Sequence, residues 1–142
     1  MSWEISPTMS AAQLAASVAR ADAGAAASRL RFYTTARPAT ILDAHTDPVQ
    51  AELVLAKPCG TVTDATLALH AADAAGAMVQ FGGVPRWAEW IAGDGALLAR
   101  ADVTDLDHGG AIRVIGGKTP EGDNSPMFYA GGLILLGLVA LT

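Results

Sequence analysis

Residues 87–103 read Trp-Ala-Glu-Trp-Ile-Ala-Gly-Asp-Gly-Ala-Leu-Leu-Ala-Arg-Ala-Asp-Val, and this stretch decides the fold. Two apolar runs, 87–92 and 96–103, flank Gly93-Asp94-Gly95, the composition of a tight hairpin turn. Each run is too short for a stable helix and lacks helical periodicity, so the pair reads as two antiparallel strands. Trp87 and Trp90 are three apart, so on a strand they point to opposite faces. Two outcomes follow for them. Either both are covered within the molecule, or one packs in the core and the other is an exposed interface anchor.

The same grammar extends in both directions. Upstream, residues 29–35 alternate Leu30 and Phe32 with Arg29, Arg31 and Tyr33, and further short β-like runs occupy 52–57, 65–71 and 77–82. Downstream lie 111–117 and the nearly continuous apolar run 133–142. Turn signals separate them: Lys57-Pro58-Cys59-Gly60, Ala74-Ala75-Gly76, Gly82-Gly83-Val84-Pro85, Gly109-Gly110 and the long loop from Gly116 to Pro126. Short strands with frequent turns, and no helices alternating with them, predict an all-β antiparallel sandwich over residues 29–142. The run 133–141 would be a strand buried on both faces, inside the sandwich or by a neighbouring subunit.

Residues 1–28 differ. After an irregular lead-in, 1–9, containing Pro7, the alanine-rich stretch Ser10–Ser28 predicts a short helix capped by Thr8 or Ser10. Its apolar face (Leu14, Val18, Ala21 or Ala25) is narrow, and Gly24 weakens its second half, so this arm needs a partner surface. Charge divides at nearly the same place. Residues 1–40 carry Arg20, Arg29, Arg31 and Arg37 against two acids, while residues 41–142 carry five basic groups against twelve acidic ones. Such an asymmetry suits a basic arm that docks on something acidic, or else ordinary solubilising charge.

Composition excludes several classes. With 142 residues, a net charge of −5 and a pI near 4.9, the chain fits one domain plus an arm and lacks a nucleic-acid footprint. The apolar stretch Ala130–Leu141 is shorter than the roughly 18–20 residues that span a bilayer, and no secretory pattern opens the sequence.

Motifs for chemistry fail on spacing. Gly117-Lys118-Thr119 lacks the glycine five residues earlier that a phosphate loop needs, because Ile112 stands there. Asp105, Asp107 and His108 resemble a calcium loop, but position 116 is glycine where a glutamate is required. Asp43, His45 and Asp47 form a polar loop rather than a metal set, and Cys59 reads as a buried or turn cysteine. His70 reads as a structural histidine on a strand. The expectation is a chain with no cofactor, no metal and no catalytic site.

An alanine-rich segment leads into LRFYTTARPAT (30–40), followed by AELVLAKPCGTVTDATLAL (51–69), the WAEWIAGDGALLARADVT hairpin (87–104) and GGAIRVIGG (109–117). In size and order of elements the chain resembles the capsid cement, or decoration, proteins of tailed bacteriophages, of the Bordetella short-tailed type. The resemblance implies a jelly-roll β-sandwich, made in the bacterial cytoplasm and bound as a homodimer to the capsid exterior. There it would clamp neighbouring subunits of the major capsid protein, with Arg20, Arg29, Arg31, Arg37 and Trp87 or Trp90 as contact residues. A head–tail or tail component would share this β grammar. A cupin-like enzyme would need closely spaced histidines, whereas His45, His70 and His108 are scattered.

Overall fold

A computed structural model describes residues 2–141, without the side chains of residues 138 and 140. It contains one helix, α1 (Pro7–Ala21), and eight strands. The strands are β1 (Arg29–Tyr33), β2 (Ala51–Thr63), β3 (Thr66–Ala71), β4 (Ala77–Met78), β5 (Trp87–Ile91), β6 (Leu97–Thr104), β7 (Ile112–Ile115) and β8 (Leu133–Leu141). The fold is mostly β and sandwich-like, with the helix at the N-terminal end, as the alternating runs require.

The eight strands form one curled sheet in the order β3-β2-β1-β5-β6-β7-β8-β4. Its two flanks meet, because β3 also pairs with β8 through Leu67↔Leu141 and Ala68↔Ala140. Pairing is antiparallel except between β6 and β7, which run parallel through Val103↔Ile112 and Thr104↔Arg113. The hairpin β5–β6 forms with Trp90 opposite Ala99, and its tip is clasped by the chain that follows α1. There Gly93 donates to the Ala21 carbonyl, and the Ala23 and Ala26 carbonyls leave no space for a Cβ on Gly93.

Alternation sorts the strand residues into two faces. Leu30 and Phe32 of β1, Ala88 and Trp90 of β5, Val103 of β6, Val114 of β7 and Ile134 and Val139 of β8 build one core. Leu14 and Ala21 of α1 join that core, so the partner surface the helix needs is the sheet of its own chain.

Several boundaries depart from the sequence reading: the helix ends at Ala21 and not Ser28, and the run 77–82 keeps a strand only at Ala77–Met78. The helix starts at Pro7 instead of Ser10, because proline is tolerated in the first turn and the Ser6 hydroxyl accepts the Met9 N–H at 3.2 Å. β2 runs through Lys57-Pro58-Cys59-Gly60, taking up this expected turn as an irregularity between Leu55 and Gly60. The chain instead reverses at Asp64 and Ala65, both in the left-handed region with φ of 48° and 61°. That is the backbone of a two-residue hairpin, here without the usual Asn-Gly signal.

β8 is a strand, but its covering is one-sided in several places. Ile134 and Val139 are buried, Leu133 is exposed, and Leu135 and Leu136 are half-buried. The expectation of burial on both faces therefore does not hold within the single chain; at residue 138 it lies outside the described side chains.

Candidate functional site

The connection between β1 and β2, residues 34–50, lies as a strap over the outer face of β1, β5 and β6. Three side-chain sets pin it. Arg100 of β6 donates to the carbonyls of Thr40 and Asp43 at 3.0 and 2.9 Å. Arg37 pairs with Asp102 at 3.0 Å. His45 descends onto the sheet, where its Nε2 meets the Glu89 carboxylate.

Around that contact the outer-facing residues of β1 and β5 form an aromatic box. Tyr33 stacks on Trp87 with ring centroids 4.4 Å apart, and His45 stands edge-on to both at 4.8 and 4.9 Å. The Arg100 guanidinium lies 5.5 Å over the Trp87 ring. Glu89 is buried, and a buried carboxylate persists only with a hydrogen-bonding partner. His45 supplies it. The Asp47 N–H donates to Nδ1 at 3.3 Å, which leaves the neutral ring's proton on Nε2, facing Glu89. The Asp47 carboxylate also lies 3.2 Å from Nδ1.

Burial first, and the Glu89 charge second, push the Tyr33 phenol up to about 12. The phenol therefore stays protonated near neutral pH. With both imidazole nitrogens engaged and the carboxylate covered, the cluster acts as a clamp that holds the strap on the sheet. Among the described residues no group of three or more His, Cys, Asp or Glu side chains is arranged to hold a metal ion.

The contact residues expected from the sequence are placed as follows. Trp87 and Trp90 do point to opposite faces, but both are buried, at 0% and 6% exposure. Neither is the exposed anchor, because the strap covers the outer face of β5 where Trp87 lies, and Trp90 lies in the core on the other face. Each of the four arginines meets an acid of its own chain. Arg20 pairs with Asp94 at the hairpin tip, Arg29 and Arg31 share Glu52, and Arg37 takes Asp102. The positive N-terminal part thus docks on the negative remainder of the same molecule, through pairs still partly open to solvent.

Two surface features escaped the sequence reading. Trp3 is 90% exposed in the extended lead-in to α1, beside exposed Ile5 and Met9. A second set of exposed apolar residues includes Met78 and Leu133, which are cross-strand partners, and Ile115, which pairs with Leu135 in the neighbouring strand; exposed Tyr129 lies in the turn before β8, its carbonyl accepting the Gly132 N–H. Trp3 had a visible signal: it is the one tryptophan outside every strand pattern. The Met78–Leu133 pairing had none, since it joins a two-residue strand to the distant β8. The clamp partners Tyr33 and Glu89 were likewise illegible, because only the fold brings them to His45.

The chain matches no family model, no curated protein and no solved structure.

Proposed function

We propose that this protein is a non-enzymatic structural component of a phage virion that binds the outside of the capsid and stabilises it by clamping neighbouring subunits. One observation carries the reading most: Trp3 projects almost fully into solvent in the lead-in to α1, with exposed Ile5 and Met9 close by in sequence. An exposed tryptophan ahead of a docked helix is the chemistry of an interface anchor. The exposed cross-strand pair Met78 and Leu133 supplies a second contact surface, and two surfaces on one small body are what a clamp requires. The resemblance in size and order of elements to cement proteins points the same way.

A clamp of this kind works by mass action. It binds the assembled shell and not the separated subunits, so each tenfold excess of free protein over its dissociation constant stabilises the shell by roughly 1.4 kcal/mol per site. Repetition over a lattice multiplies modest contacts. The contact set in this proposal is Trp3, Ile5 and Met9.

The test is gradient fractionation of a lysate in which the chain is made, followed by surface labelling of the particle fraction. The expected result is the chain in the particle band, labelled from outside, and lost on Trp3→Ser substitution. A chain found wholly outside particles overturns the reading.

A further inference from the structure

Inside the curled sheet a cavity of about 250 Å³ remains, next to the core described above. Four of its wall positions are alanines, Ala88, Ala99, Ala101 and Ala111, at places where a leucine or valine would close the space. It exceeds the roughly 150 Å³ apolar void that stays dry and admits benzene. The cavity reaches the surface, because Ala99 and Ala101 are half-buried and Ala111 is exposed. The topology explains the opening. Among the described residues β6 pairs with β7 only at Val103 and Thr104, which leaves the flank of Leu97–Asp102 on that side without a neighbouring strand.

A second hollow of about 400 Å³ lies between α1 and this opening, and Trp90, Ala99 and Leu141 belong to both. Its helix side carries Gln13, Ser17 and Arg20. Among the described residues no carboxylate lines either hollow. Arg20 uses one nitrogen on Asp94 and keeps further donors of its guanidinium for another acceptor. At the junction, Trp90 is 6% exposed and its Nε1–H has no acceptor among the described residues. A buried donor without a partner is unfavourable in an otherwise complete fold. The inner space is therefore apolar, and its outer end offers donors.

We propose that the two hollows form one binding site for a small amphipathic monocarboxylate, with its apolar body among the alanines and its carboxylate at Gln13 and Arg20, since the Ser17 hydroxyl donates to the Gln13 carbonyl. This site is independent of any capsid contact, since it uses neither Trp3 nor the Met78–Leu133 pair. Apolar walls with a few convergent polar groups are the usual build of such sites.

The test titrates the intact protein with decanoate, followed by tryptophan emission and calorimetry. One saturable site per chain is expected, with decanol bound severalfold more weakly and that difference lost in Arg20→Gln. Ala99→Leu combined with Ala101→Leu fills the cavity, so it should weaken decanoate at least tenfold while leaving the melting temperature unchanged or higher. Should that pair fail to fold, Ala111→Trp at the exposed rim blocks the entrance without entering the core, and the same tenfold loss is expected. Absence of saturable binding to the unmodified chain, or equal binding by the filled or rim-blocked variant, overturns the proposal. Equal binding of decanol and decanoate overturns the assignment of the carboxylate end.

Discussion

His45 and Glu89, 44 residues apart, meet on the outer face of β5 with the imidazole Nε2 against a carboxylate oxygen. The contact closes a strap over a sheet face that would otherwise expose Tyr33 and Trp87. His45→Ala leaves a buried carboxylate without its partner, which typically costs about 3–5 kcal/mol. Urea unfolding should show that loss. Glu89→Gln in the same background should restore part of it, because the buried charge is gone. Equal stability of the single and double variants would mean that the pair is not coupled.

Acid should loosen the loop after β6 before it unfolds the sheet. The Thr119 hydroxyl, with help from His108 and the Asp107 N–H, holds Asp105 down at about 2 from its ordinary 3.8. A depressed carboxylate contributes stability that is complete above its unfolded value and lost as pH falls towards the folded one. The loss is therefore expected between about pH 4 and pH 2. Following the His108 and Thr119 resonances through that range checks it, and Asp105→Asn should remove the dependence.

Cys59 is fully buried where β2 bends. Burial first, and the Asp22 charge second, push its thiol up to about 11. A thiol reagent at pH 8 should therefore react at the rate of opening of the structure, not at that of a free cysteine. Immediate modification of the native protein would show that the bend between Leu55 and Gly60 is open.

Neighbouring residues of β8 should respond oppositely. Ile134 is fully buried, so Ile134→Asp places a charge in the core and should prevent folding. Leu133, beside it, is 45% exposed and faces Met78 on the surface. Leu133→Asp should leave the melting temperature within a few degrees of the parent while reducing attachment to particles. A large loss of stability in Leu133→Asp would assign that side chain to the core instead.

The N-terminal region divides at Ser6. Removing residues 2–5 takes away Trp3 and Ile5 but spares α1, so the shortened chain should fold and lose particle binding. Removing residues through Ala21 also takes Leu14 and Ala21 out of the core, and truncating one buried leucine to alanine alone costs about 2–5 kcal/mol. Thermal melting separates the two truncations. Retained particle binding after removal of 2–5 would exclude the lead-in as the contact.

Local alternation made most strands legible. The 87–103 hairpin is such a case, because Gly93-Asp94-Gly95 and two apolar runs carry the whole instruction within a short span. Pairings that no hairpin turn imposes were not legible: the parallel contact of Val103 with Ile112, and the meeting of Leu67 with the distant Leu141, have no local signature. The partners of the arginines were hidden for the same reason. Arg20 and Asp94 read as separate surface charges until the hairpin tip returns to the end of α1. Trp87 looked available because nothing in residues 34–50, a polar loop by composition, announces that it folds back over β5.

The junction of β3 with β8 bears on how the chain comes off the ribosome. β8 also borders β4 and β7, so three strands made earlier await a segment synthesised after all of them. Until residues 133–141 emerge, Leu67, Val114 and Ala77 have incomplete surroundings, and the growing chain holds apolar strand edges open. Those edges are the substrates of holding chaperones and of misassociation between nascent copies. Yield in cells should therefore depend on how long translation dwells just before β8, even for codon changes that leave every residue the same.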